Sequence, residues 1–322
     1  MSFDFSDLKI AVIGDVMLDV YINGSSSRLS PEAPVPVVSV DNTQYLLGGA
    51  GNVAANLRSL GCEVNLVSIL GSDPNGDKFS HIANSKGIEI DNFCFYSTKP
   101  TTTKTRVIAN RQQIVRYDFE DIPNSIDDLQ YEECILNAIE GADAVILSDY
   151  DKGLITNEIA RFVLNASKCP VFVDPKRNDW DKFWGAACIK PNKYELAHFL
   201  GFEPDQDQMN LLCKEIPQRH NFGALLLTLG EEGMILWQKE NGIVTDPIKY
   251  TPRQVKVYDV SGAGDTAIAV LAAAYCKYGI TVAAHMANIA AGIVVTKPGT
   301  AQVTESELND AIHIQSGSIE KL

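Results

Sequence analysis

The run Val257-Tyr258-Asp259-Val260-Ser261-Gly262-Ala263-Gly264-Asp265-Thr266 sets two carboxylates around a turn of small residues, and the apolar segment "DTAIAVLAAAY" follows at once. Glycines at 262 and 264 permit backbone angles that aim successive N–H groups inward. The following segment is a good helix former, and a helix N-terminus carries partial positive charge, so turn and helix together make an anion site. The helix dipole is expected to hold Asp265 ionised. An ionised carboxylate beside an anion site suits the removal of a hydroxyl proton while a phosphoryl group is stabilised next to it. The same residues also read as a plain helix N-cap.

Two further clusters carry polar chemistry. In "LLGGAGNVAANLRSLG" (Leu46–Gly61), Gly48 and Gly49 allow a ligand close to the backbone, and Asn52 opens a helix. Gly49-x-Gly51-x-x-Ala54 approximates a dinucleotide fingerprint with Asp73 downstream, the signature of an oxidoreductase. Against that alternative, the preceding "SVDNTQYLL" is a poor buried strand, and the fingerprint belongs after the first strand of its unit, which here is Lys9–Asp15. In "KPNKYE", Asn192 and Glu195 share a face if a helix starts near Asn192. Glu195 then suits a magnesium ion held through water, or the pair is a helix cap with a first-turn glutamate.

The elements that must position these groups are short. Apolar, β-rich runs recur at Lys9–Val16, Glu63–Gly71, Asp143–Tyr150, Pro170–Lys176, Ala186–Asn192 and Gly223–Gly230. Runs of that length fit strands buried on both faces. Helical patterns lie between them at Asn52–Leu60, Leu129–Glu140, Ile155–Asn165 and Tyr194–Leu200. The alternation predicts an α/β fold, a mostly parallel central sheet with helices on both faces. Ligands of such sheets sit beyond the carboxyl ends of the strands, which singles out Asp15, Asp19, Ser148, Asp149, Asp174, Lys176, Asn192, Glu195 and Thr228.

Two stretches break the alternation. Tyr21–Gln44 and Phe93–Glu120 alternate polar and apolar residues at period two, as exposed antiparallel strands do. They predict a small β lid, built from about 20–46 and 93–120, on a single domain spanning 1–322. Exposed β edges are usually covered, so the lids of two copies are expected to pair in a homodimer.

The 322 residues carry a net charge of −14, which argues against nucleic acid or an anionic membrane as partner. Seven scattered cysteines without a CxxC pair read as reduced thiols in a cytoplasmic protein. The N-terminus has neither a basic start nor an apolar run of signal length. Ala267–Val295 is apolar but broken by Lys277, Gly279, His285 and Asn288, and reads as two packed helices.

The ordered set "GGAGNVAANLRSLG", "PNKYE", "TLGEEG" and "DVSGAGDT" resembles the ribokinase-like, or PfkB, family of sugar kinases over nearly the whole chain. Within it, "GDVMLDVY", "SRLSPEAPVPVV", "TKTRVIANRQQIVRYDFE", "LSDYDKG" and "VDPK" are similar to kinases of D-glycero-β-D-manno-heptose 7-phosphate. In many bacteria that domain is fused to a C-terminal nucleotidyltransferase. Little chain follows Asp265 here, and "HMAN" is not an HxGH motif, so a stand-alone kinase is expected. The resemblance implies a three-layer sandwich that uses ATP and Mg²⁺ to phosphorylate the anomeric hydroxyl. Asp265 would be the general base, with the N–H groups of Gly262, Ala263 and Gly264 as anion hole. Asn192 and Glu195 would serve the ATP phosphates and magnesium, Thr228, Gly230 and Gly233 the nucleotide, and Asn288 the adenine. Asp19, Gly48, Gly49 and Asn52 would hold sugar hydroxyls. Ribokinase carries Asn where this chain has Met17, which weakens a ribose reading and leaves Asp15 as an extra hydroxyl ligand. Asp259 and Ser261 match a loop that binds a monovalent cation such as K⁺ in parts of the family.

A sugar phosphate needs cations, and Lys104, Arg106, Arg111 and Arg116 crowd the second lid segment of an acidic chain. Lys104 and Arg106 share one strand face and Arg111 the other, unless a bulge intervenes. Lys176, at a strand end, would touch either the transferred phosphoryl group or a structural carboxylate.

Overall fold

The computed structural model describes residues 3–90, 94–121 and 128–319. In chain order the elements are β1 (Lys9–Gly14), β2 (Val16–Leu29), β3 (Pro36–Gly49), α1 (Ala50–Ser59), β4 (Glu63–Gly71), α2 (Pro74–Ser85), β5 (Cys94–Ser97), β6 (Thr103–Ala109) and β7 (Gln112–Phe119). There follow α3 (Asp128–Ile139), β8 (Ala144–Ser148), α4 (Asn157–Ala166), β9 (Val171–Asp174), β10 (Cys188–Ile189), α5 (Lys193–Leu200), α6 (Gln206–Arg219) and β11 (Ala224–Thr228). The last are β12 (Met234–Glu240), β13 (Ile243–Val244), β14 (Ile248–Tyr250), α7 (Ala263–Val294) and α8 (Glu305–Ile319).

Among the described residues, ten strands form the central sheet, in the order β13-β12-β11-β10-β9-β8-β1-β4-β5 with β14 also on β12. Pairing is parallel from β11 to β5 and antiparallel at β12, β13 and β14. Successive side chains of a strand point to opposite faces. Thus Ile10 and Val12 join a core cluster with residues of α1 and α7, while Ala11 and Ile13 join one with residues of α3, α4 and α6. The result is the expected three-layer α/β sandwich.

A second sheet, β3-β2-β6-β7, has four strands. Asp15 alone separates β1 from β2, so the second sheet grows directly from the carboxyl end of the central one. β2 and β3 pair antiparallel from Val16↔Gly49 to Leu29↔Pro36, and β6 lies parallel to β2 from Leu18↔Thr103. β6 and β7 close through the two residues Asn110 and Arg111, at φ 52° and 67°. Positive φ at both positions matches strand twist in a two-residue hairpin turn.

Two boundaries differ from the sequence reading. Cys94–Ser97 was expected in the smaller sheet but pairs with β4 in the central one; Phe93 lies outside the described residues. The first segment runs further, Val16 to Gly49, because its apolar ends Val16–Val20 and Leu47 are buried where it leaves and rejoins the core. Ala267–Val295 is two helices, as its sequence predicts: α7 breaks at Gly279, which leaves helical geometry (φ 76°, ψ 172°), and Val295 caps its end. By length and composition α7 alone among the described helices could cross a membrane, yet its residues 265–274 are buried inside the protein. It is a core helix of the fold.

Candidate active site

Asp265 enters at the first turn of α7, after Gly262 in the left-handed region (φ 79°). Glycine is required there twice over: a Cβ at 262 would also sit 2.5 Å from Asn52 Nδ2. The Ala263 N–H is drawn to the Val260 carbonyl at 3.3 Å, whereas Gly264 faces Lys190, whose Nζ would lie 3.5 Å from a Cβ at 264. Of the three N–H groups expected in the anion hole, that of Ala263 thus already has a protein partner.

Asp265 is 3% exposed, and polar groups surround it. Tyr150 donates its hydroxyl to Oδ1 at 2.5 Å, and Asn52 Nδ2 donates to Oδ2 at 2.8 Å. Burial pushes the proton affinity of the carboxylate up; the bonds from Tyr150 and Asn52 and the charge of Lys190 pull it down, and Asp19 pushes up again. The net direction is upward, opposite to the downward push that a helix dipole exerts. Removal of water from a group this deep outweighs a partial charge at the helix end.

The residues expected to meet sugar divide. Asn52, buried in α1, is committed to Asp265, and its Oδ1 accepts from Gln302 Nε2 at 3.2 Å. Asp15 accepts the backbone N–H groups of Tyr150, Lys152 and Leu154 at 2.9–3.0 Å, so its carboxylate organises that loop and keeps about one acceptor position over. Asp19 lies beside Gly48, where a Cβ would come within 2.5 Å of its Oδ2, and Oδ1 accepts from Arg106 Nη1 at 2.7 Å. Gly49, at φ 59°, turns β3 into α1. Arg106 also lies 5.1 Å from the Tyr21 ring, and Lys104 Nζ lies 5.6 Å from the Tyr150 ring. Arg111 does not join them. It occupies the hairpin turn, seven residues beyond Lys104, roughly 20 Å along the ribbon. Alternation put it on a strand face because nothing marks Asn-Arg as a turn pair as Asn-Gly would be.

The residues expected at the nucleotide gather at the ends of β9, β10 and β11. Asn192 and Glu195 form a capping box at the start of α5: Asn192 accepts the Glu195 N–H, and Glu195 Oε2 accepts the Asn192 N–H, each at 2.9 Å. Lys176 Nζ donates to Glu195 Oε1 at 3.2 Å, so of its two sequence readings it has the carboxylate contact. Thr228 bridges to Asn192 across the strand ends. Gly230 (φ 62°) and Gly233 (φ 90°) form the turn after β11, and Asn288 donates from α7 to the Thr251 carbonyl at 3.3 Å. Asp259 accepts the N–H groups of Ser261 and Gly299.

Glu195 keeps lone pairs beyond its two bonds, and a carboxylate offers about four acceptor positions. That fits a magnesium ion held through water and by nucleotide phosphates. The carboxylate of Asp259, in a loop tied to Val295, likewise keeps acceptor capacity for a monovalent cation.

Sequence reasoning assigned no role to Tyr150 or Lys190. Lys190 pairs with Asp174 at 3.0 Å, both buried. Burial raises the Asp174 carboxyl; for Lys190 the burial penalty is outweighed by Asp174, Glu195 and Asp265, which keep it protonated. Both missed residues stand beside flagged ones: Tyr150 follows Asp149, and Lys190 precedes "PN" at a strand end. The dinucleotide alternative falls here. Gly48 and Gly49 end a strand of the smaller sheet, and Asp73 caps α2 and accepts from Thr101.

Residues 7–307 match the pfkB family carbohydrate kinases. A bifunctional protein HldE of a Nitratiruptor species is 41% identical over 308 residues, covering 94% of this chain and 64% of that protein. Another, of Coxiella burnetii (strain RSA 493 / Nine Mile phase I), is 39% identical over 311 residues, covering 96% of this chain and 64% of its own length. The chain thus spans about two thirds of these relatives. Among solved structures, phosphofructokinase-2 from Escherichia coli in complex with potassium superposes with a TM-score of 0.80 at 17% identity, over 96% of this chain and 99% of that one. Arabidopsis thaliana ribokinase complexed with ribose and ATP gives 0.72 at 21%, over 95% and 98%. At those identities the structural likeness speaks for the fold.

Proposed function

Because the chain belongs to the pfkB family of carbohydrate kinases, whose members are ATP-dependent phosphotransferases, we propose that its acceptor is D-glycero-β-D-manno-heptose 7-phosphate, converted to the 1,7-bisphosphate. The observation that carries this reading is the placement of Asp265, buried and held by two donors beside a glycine turn, with Lys104 approaching its partner Tyr150 and Arg106 paired with the neighbouring Asp19. The HldE relatives and the motif resemblance support the heptose phosphate over other sugars.

Asp265 takes the proton of the anomeric hydroxyl as that oxygen attacks the γ-phosphorus. The new O–P bond forms while the bond to the ADP oxygen breaks, and ADP leaves with that electron pair. The N–H groups at Gly262 and Gly264, with the Lys190 ammonium nearby, offset charge on the phosphoryl oxygens. Magnesium neutralises the β- and γ-phosphates when bound; Glu195 would hold it through water, with Asn192 and Lys176 alongside. Asp259 and Ser261 would hold a monovalent cation, as the potassium complex of phosphofructokinase-2 encourages. The four-stranded sheet acts as a lid on a single kinase domain, with Asp19, Gly48 and Arg106 toward the sugar, and it pairs two copies. The enzyme works in the cytoplasm, where ATP is available and where its scattered cysteines stay reduced.

The test is ADP release over a panel of six- and seven-carbon sugars and their terminal phosphates. Heptose 7-phosphate should give the highest kcat/KM. A hexose phosphate or an unphosphorylated sugar turned over better would replace it as the acceptor.

A further inference from the structure

Resting on the reading of Asp265 as proton acceptor, we infer that Tyr150 is a positioning residue for that base, set in place by the lid. Its hydroxyl donates to Asp265 Oδ1 while Asn52 donates to Oδ2, so one donor pins each carboxylate oxygen and the group cannot turn about its axis. Each oxygen keeps a lone pair, and the acceptor hydroxyl meets a carboxylate already oriented. Tyr150 stays a donor: burial and the nearby charges of Asp265, Asp174 and Glu195 hold its hydroxyl protonated far above neutral pH.

Tyr150 is itself fixed from several sides. Asp15 accepts its N–H and those of Lys152 and Leu154. Asp149, next to it, is held by the buried Lys182 at 2.7 Å. Two contacts come from the smaller sheet. Lys152 Nζ pairs with Glu120, the residue after β7, at 2.6 Å, and Lys104 of β6 approaches the Tyr150 ring. The loop therefore touches the lid at one side and the base at the other. The charged groups around Asp265 are Lys190 at the end of β10, Asp174 at the end of β9 and Asp19 on β2, with Asn52 of α1 its neutral partner.

A hydroxyl that donates to a carboxylate favours its ionised form. Removing only that oxygen by Tyr150→Phe leaves the ring and the clamped loop in place. The experiment is a pH profile of kcat/KM for heptose 7-phosphate with saturating MgATP, on wild type, Tyr150→Phe and Asp265→Asn, each checked for an unchanged melting temperature. The acid limb of Tyr150→Phe should move to higher pH, with kcat/KM down about tenfold or more at the acid end and recovering on the alkaline side. The KM for ATP should stay near wild type. A uniform loss at every pH, or no change, would overturn the role of Tyr150. If Asp265→Asn keeps near-normal turnover, the base reading itself fails, whatever Tyr150→Phe does.

Discussion

At position 265, burial and hydrogen bonding oppose each other. Water removal raises the proton affinity of the carboxylate, and Tyr150, Asn52 and Lys190 restrain the rise. A base with a raised pKa is the more effective acceptor but is lost sooner as the solution is acidified. Activity should therefore fall as pH drops, along a limb lying above that of a free aspartate, and kcat/KM measured against pH reads this directly. Asn52→Leu removes the second donor, and kcat should fall by about tenfold or more with the KM for ATP unchanged. Arg106→Ala breaks the 2.7 Å pair with Asp19 and removes a cation. It should raise the KM for the sugar phosphate by about tenfold and leave that for ATP near wild type, in initial-rate assays varying each substrate. An equal change in both would place Arg106 outside the sugar site.

The elements deliver these residues through a few fixed joints. Asp15 lies between β1 and β2 and clamps the loop after β8 through three N–H groups. Asp15→Ala would strand those donors, at a cost of about 3 kcal/mol in stability, visible as a lower melting temperature. An unchanged melting temperature would mean the loop holds itself. Much of this frame is legible in the sequence. Glu63–Gly71 gives β4 directly because an apolar run with a clear end leaves little choice. The two glycines and the closing aspartate of the DxxGAGD stretch announce the start of α7. What stays hidden depends on contacts between distant segments. Nothing within "LSDYDKG" shows that its tyrosine reaches Asp265, 115 positions away. Asp15 carries the same carboxylate whether it meets a sugar or a loop. Cys94–Ser97 reads as part of the flap until its pairing with β4 is known.

On the scale of the whole molecule, the outer strand of the smaller sheet presents Val115, Tyr117 and Phe119 at 49%, 53% and 57% exposure. At period two they share one face, an apolar stripe on an open edge that a second copy would cover. Sedimentation equilibrium should give twice the 35.1 kDa chain mass, and Tyr117→Glu with Phe119→Glu should return it to a monomer. A wild-type protein sedimenting as a single chain would remove the pairing of lids. The most direct test of the whole account is ADP release from ATP and heptose 7-phosphate by wild type and Asp265→Asn side by side. The account predicts turnover by the wild type and a loss on the order of 10² or more in kcat for the variant, with ATP still bound. Comparable turnover by the two proteins would contradict it.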